Sequence, residues 1–160
     1  MIEYSYNRIS DELDKAILQA LQQDGRISNA DLARQINLSP PAVHARIRRL
    51  EKQGYIRQYT ALLDPEKVGY DMICFVHMGL QIHQQQQVEA VRDAIQQMPE
   101  VLECYHLTGE FDYILKVVIR NRQDLERFIM QRLMPIPGLA RVQTGLVLSA
   151  VKSTTILPLE

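Results

Sequence analysis

Two short helical patterns meet across residues 25–54, GRISNADLARQINLSPPAVHARIRRLEKQG, with only Asn37 and Leu38 to turn the chain between them. Ser28 precedes the apolar positions Leu32, Ala33 and Ile36, with Asp31 three residues on, so a hydroxyl and a first-turn carboxylate can cap the first helix. Ser39 can cap the second, and Pro40 and Pro41 suit a first turn whose N–H groups lack helical partners anyway. Val43, Ile47 and Leu50 then recur as one buried stripe. At about 100° per residue the opposite side carries Ala45, Arg48, Arg49 and Lys52, so that Pro41, Ala45, Arg48 and Arg49 face outward. This is the pattern of a helix-turn-helix with a basic second helix.

Charge singles out the same stretch. Seven basic residues (Arg26, Arg34, Arg46, Arg48, Arg49, Lys52, Arg57) stand against Asp31 and Glu51 in a chain of net charge −1. A local basic patch on an otherwise acidic chain is expected where one module neutralises phosphates. Small residues early in the second helix allow close approach to a major groove, and arginines can bind phosphate or fork onto guanine O6 and N7. The candidate contacts to double-stranded DNA are Ser39, Pro41, Ala42, His44, Ala45, Arg46, Arg48, Arg49 and Lys52, with His44 at the rim. The competing reading is an ordinary solvated basic face.

The composition divides the chain in two. Residues 1–60 carry nine basic and seven acidic side chains, and residues 61–160 carry nine and twelve. We expect a DNA-binding domain over 1–60, a linker over 61–71 and a second domain over 72–160. No apolar run approaches the roughly 18 residues of a membrane span, and MIEYSYNRIS lacks a signal-peptide core, which predicts a soluble, cytoplasmic protein without a membrane partner. Cys74 and Cys104 lie in apolar runs and read as small buried hydrophobes rather than a disulfide.

A first helix is expected over 11–23, with Leu13, Ile17, Leu18 and Leu21 inward, completing a three-helix core. YIRQYTALLDP offers short strand-like segments for a wing. From Met72 the pattern becomes βαββαβ: strands MICFVHMGLQI, EVLECYHL, FDYILKVVI and LARVQTGLVLSAVK, and helices QQQQVEAVRDAIQQM and NRQDLERFIMQRLM, the latter capped by Asn121. Gln84 to Gln87 read as an exposed first turn. Two helices cover one face of a four-stranded sheet. Phe111, Tyr113, Leu115, Val117 and Ile119 should point one way and Ile114 and Val118 the other, so the uncovered face is apolar too and predicts pairing of two copies.

These segments together resemble the Lrp/AsnC family of feast/famine transcription factors. The likeness runs from about Ser10 to Leu159 through LDKAILQALQQDGRISNADLARQINLSP, VHARIRRLEKQGYI, LDPEKVGY, TGEFDYILKV, IPGLARVQTGLVL and VKSTTILPL, in that order. The resemblance implies an α+β protein with an N-terminal winged helix-turn-helix and a C-terminal ferredoxin-like effector domain. It further implies a homodimer that assembles towards an octamer, and a small-molecule effector, an amino acid, that alters assembly or DNA affinity. By the same resemblance the effector loop is Gly109, Glu110, Phe111, Asp112 and Tyr113, faced by Gln143, Thr144 and Gly145 of a neighbouring subunit. Independently, Gly109 permits a tight turn and Asp112 can accept hydrogen bonds from an ammonium group, although a plain hairpin turn is the simpler reading. Phe111 departs from the polar or tyrosine side chain of many relatives.

Rival functions are weaker. His44, His77, His83 and His106 have no metal-ligand spacing, and no nucleophile elbow or phosphate-binding glycine loop occurs, so neither catalytic residue, metal nor cofactor is expected. Sirohaem decarboxylases resemble the same two-domain architecture, but their helix-turn-helix has no need of the basic excess seen here. An RNA-recognition module would show aromatics on a basic sheet, and this second half is acidic. An architectural DNA binder without effector stays open.

Overall fold

The computed structural model describes residues 11–81 and 85–159, which form two compact units. The leading decapeptide, His83 and Gln84 lie outside the described residues. One unit holds the chain up to Leu62 together with Lys152 onward, and the other holds Leu63–Val151. Residues 63–71, with their short 3₁₀ turn Glu66–Val68, lie in the second unit, and the final residues lie in the first.

The first unit contains α1 (Glu12–Gln23), α2 (Asn29–Gln35) and α3 (Pro40–Lys52). Asp11, Ser28 and Ser39 cap them through their side-chain oxygens. The exits are equally local. After α2, Asn37 adopts φ 54° and Leu38 N–H donates to the Ala33 carbonyl; after α3, Gly54 adopts φ 77° and Tyr55 N–H donates to the Leu50 carbonyl. Both are left-handed helix stops that satisfy carbonyls the helix leaves open. Ile17, Leu18, Leu32, Ala33, Val43, Ile47 and Leu50 form the core. The tail closes over α1, where Gln22 both accepts from Leu157 N–H (2.6 Å) and donates to its carbonyl (3.1 Å), and Leu159 joins the apolar cluster. The expected wing strands are not formed: residues 55–64 are without strand pairing, and Tyr55 and Ile56 instead pack on the core.

The second unit contains β1 (Met72–Leu80), α4 (Gln85–Gln96), β2 (Val101–His106), β3 (Tyr113–Ile119), α5 (Arg122–Arg127) and β4 (Leu139–Leu146). Its sheet runs β2-β3-β1-β4, antiparallel throughout, which is the expected βαββαβ order. Cys74, Val76 and Met78 alternate inward beside Tyr113, Leu115, Val117 and Ile119, and meet Val91, Ile95, Phe128 and Leu133 from the helical layer. After α5 the helix widens into a π-turn, Phe128–Leu133, that puts both of its buried residues on one side.

Several expectations need correction. The last strand stops at Leu146 rather than reaching Lys152, and Cys104 is exposed while Cys74 is buried; both thiols are free. Gln86 is exposed, but the Gln87 side chain is half-buried over Gly138, which leaves no room there for a β-carbon. Phe111 precedes β3 and contacts His77, whose neighbours in the alternation face away from the helices, so it does not continue the inward row. On the uncovered face, Ile73, Phe75, Ile114 and Tyr105 surround a Lys116–Glu103 ion pair of 3.0 Å.

Candidate nucleic-acid interface and effector loop

α3 presents two kinds of cation. Pro41, His44, Ala45, Arg48, Arg49 and Lys52 are exposed, as is the capping Ser39, whereas Ala42 and Arg46 are half-buried. Among the described residues no ion pair reaches Arg48 or Lys52. Arg46 turns towards α1 instead: its Nη1 donates to Asp11 Oδ2 (2.7 Å) and to Asp14 Oδ1 (2.8 Å). Arg49 Nη2 donates to Asp14 Oδ2 at 2.5 Å. The hydrogen bond from Arg46, more than any other influence, holds the Asp11 carboxyl below its ordinary range, and the two aspartates raise the Arg46 value in return. His44 Nδ1 lies 3.4 Å from the Asn29 amide of α2, at the edge of the face.

Sequence reasoning missed Asp11 and Asp14. Their signal is a matched spacing, since two carboxylates three apart on α1 meet two arginines three apart on α3, each pair spanning about one helical turn.

In the second unit the chain between β2 and β3 closes where Leu107 N–H donates to the Asp112 carbonyl (2.8 Å), with Gly109 at φ 133° near the tip. Asp112 braces the end of β1: its N–H donates to the Met78 carbonyl (2.9 Å), and its Oδ2 accepts from Leu80 N–H (2.7 Å) beside the bulge at Gly79 and Leu80. Arg141 of β4 secures the tip. Its Nη1 reaches Glu110 Oε1 (3.0 Å), its Nη2 reaches the Glu110 carbonyl (2.9 Å), and its guanidinium carbon lies 4.2 Å from the Phe111 ring centroid. His77 sits 5.2 Å from the same ring. Tyr113 is buried in the core and stacks on His106.

The expected strand residues lie farther along β4. Gln143 pairs with His77 and Gly145 with Phe75 on the uncovered face, while Thr144 pairs with Val76. Within one chain the loop is therefore met by Arg141 and His77, neither of which sequence reasoning placed at the site. A cleft of about 510 Å³ lies at the opposite end of β1 and β3, lined by Tyr70, Glu100, Arg120, Asp124, Arg127 and Arg132. It includes none of the loop residues, and two of its arginines meet carboxylates, as Arg132–Glu100 and Arg127–Asp124. No helix among the described residues is long and apolar enough to cross a membrane.

Comparison with known proteins accords with both halves. Residues 10–57 match the model for a winged helix-turn-helix DNA-binding domain, and residues 73–157 match that for the Lrp/AsnC ligand binding domain. The transcriptional regulator AzlB of Bacillus subtilis is 37% identical over 150 residues, covering 94% of this chain and 96% of the relative. The leucine-responsive regulatory protein of Escherichia coli K12 is 36% identical over 144 residues, covering 90% and 88%. A Neisseria meningitidis transcriptional regulator in complex with L-Met superposes with a TM-score of 0.90 at 35% identity, over 94% of this chain and 97% of that one. Escherichia coli AsnC gives a TM-score of 0.86 at 29% identity, over 94% and 99%.

Proposed function

We propose, for a chain that belongs to the Lrp/AsnC family of transcriptional regulators, that the outward face of α3 reads duplex DNA and that the loop around Gly109 receives an amino acid. The family membership makes the chain an effector-modulated DNA-binding regulator. The residues that perform each task are the proposal.

One observation carries the DNA assignment: Arg48 and Lys52 are exposed, without an ion pair among the described residues, on a helix whose exposed residues also include the small Pro41 and Ala45. Such a face can settle into a major groove and still reach phosphate and guanine. Ser39, Ala42, His44 and Arg49 flank it, and Arg46 supports it from the α1 side. Replacing Arg48 and Lys52 together with Ala should weaken duplex binding and reduce the slope of log affinity against log salt by about two. The thermal transition should stay where it is, because neither side chain packs in the core. A folded variant with unchanged salt dependence, or loss of folding, would refute the assignment.

For the effector, an amino-acid zwitterion carries the same two charges as the Arg141–Glu110 pair and can engage both partners, with Asp112 holding the strand end beside them. The Neisseria relative with its bound L-Met supports an amino acid as the chemical class. Gln143, Thr144 and Gly145 of a neighbouring subunit would complete the enclosure. The uncovered sheet face, with Phe75 39% and Tyr105 55% exposed, supports a homodimer, and family membership supports further assembly of dimers towards an octamer in the cytoplasm. A thermal-shift panel of amino acids tests the ligand, since saturation at 100 times the dissociation constant adds about 2.7 kcal/mol. Sedimentation as a monomer at micromolar concentration would end the dimer proposal.

A further inference from the structure

Asp14 is a buried charged residue of the helix-turn-helix unit, 6% exposed, and both its carboxylate oxygens are taken by arginines of α3. A buried carboxylate is tolerated only when paired and hydrogen-bonded. Here the partners are Arg46 and Arg49, the same residues that would otherwise add two mobile cations to the DNA-facing helix. Asp11 adds a second grip on Arg46 through Oδ2 while its Oδ1 caps α1, accepting from Leu13 N–H at 2.9 Å. The pairing is therefore fixed to the helix backbone at one end.

Arg46 and Arg49 differ in what remains available. The Arg46 side chain is 24% exposed and bound twice, whereas Arg49 is 48% exposed and tethered through Nη2. A guanidinium held by one edge keeps its plane and still offers donors to another partner, a preorganised arrangement that loses little freedom on binding. We infer that Asp14 is a positioning residue for DNA discrimination: it withholds Arg46 and Arg49 from indiscriminate phosphate binding and orients the exposed edge of Arg49 towards the duplex. This inference rests on the reading that α3 faces DNA.

The test uses the full chain, a duplex it selects from a random pool, and a scrambled duplex of equal length. Asp14→Asn should steepen the salt slope on the scrambled duplex by about one to two units as guanidiniums are freed. It should also lower the ratio of selected to scrambled affinity by about tenfold. A role confined to folding would lower the thermal transition and both affinities while leaving slope and ratio unchanged, and that result overturns the inference.

Should Asp14→Asn fail to fold, Arg49→Gln decides, because its side chain is half exposed. A clamped Arg49 acts in discrimination, so the selected duplex should lose more affinity than the scrambled one. Equal losses on both, each with a salt slope reduced by about one unit, would mark Arg49 as an untethered phosphate contact and overturn the proposal. A wild-type protein that selects no sequence from the pool removes the α3 reading itself, a distinct outcome that takes this inference with it.

Discussion

Arg48 of the first unit and Arg141 of the second are disposed in opposite ways. On α3, Arg48 points outward without a carboxylate partner among the described residues, while on β4 Arg141 folds back onto Glu110 and Phe111 of its own domain. An outward cation suits a long polyanion that releases counterions on contact. An inward one, already neutralised within a loop, suits a small zwitterion that must compete with an existing partner. On the proposed assignment, the chain separates a surface ready for a polymer from a loop whose charges respond to exchange.

Substitutions probe that contrast. The largest effect is expected from Leu50→Ala in the first core, about 2–5 kcal/mol in denaturant melts, because Leu50 is 1% exposed and the truncation leaves a cavity. Duplex binding should go with it, while hydrogen exchange in β1 and β3 stays slow. Simultaneous loss of protection in both units would break the separation. Asp112→Ala comes next, at about 1–3 kcal/mol, since it removes the acceptor of a part-buried Leu80 N–H, and the response to amino acids should disappear as well. If response survives at full strength, Asp112 has no part in the site.

Gly54→Ala should cost about 1 kcal/mol, read as a lower melting temperature, because it forces a side chain into the left-handed stop after α3. Arg141→Ala should change stability by no more than about 1 kcal/mol, its ion pair with Glu110 being exposed, yet shift the amino-acid dose response. A shift in stability without one in dose response would make Arg141 purely structural.

The smallest effect is on pH. The Asp11 carboxyl is held below its ordinary value, first by the Arg46 hydrogen bond, so its contribution is fully present above the unfolded value of about 4 and fades as pH falls through the lower folded value. Asp11→Asn, which can still cap α1, should flatten that acid-side loss in melts taken between about pH 5 and 2.

The helix-turn-helix was legible because its determinants are near in sequence. Ser28 and Ser39 as caps, Pro40 and Pro41 in a first turn, and the Val43, Ile47, Leu50 stripe all act within one helix, and each is found in place. The βαββαβ order was legible for a related reason, since alternation and helical periodicity mark each element separately. Contacts between distant segments were not. Arg46 and Arg49 meet carboxylates more than thirty residues earlier, and Arg141 reaches Glu110 from another strand. Composition placed 152–160 with the acidic half, yet paired hydrogen bonds to Gln22 draw it to α1. Strand pairing over 55–64 was not legible, because the same apolar residues also serve a segment that packs Tyr55 and Ile56 into a helical core.

Methylation interference on a duplex the protein selects tests the central claim most directly. Methylating guanine N7 in the major groove should block binding at discrete positions, and Arg48→Ala should relieve the block at one of them. Binding that ignores N7 methylation throughout the selected site, with interference confined to minor-groove adenines, would contradict it.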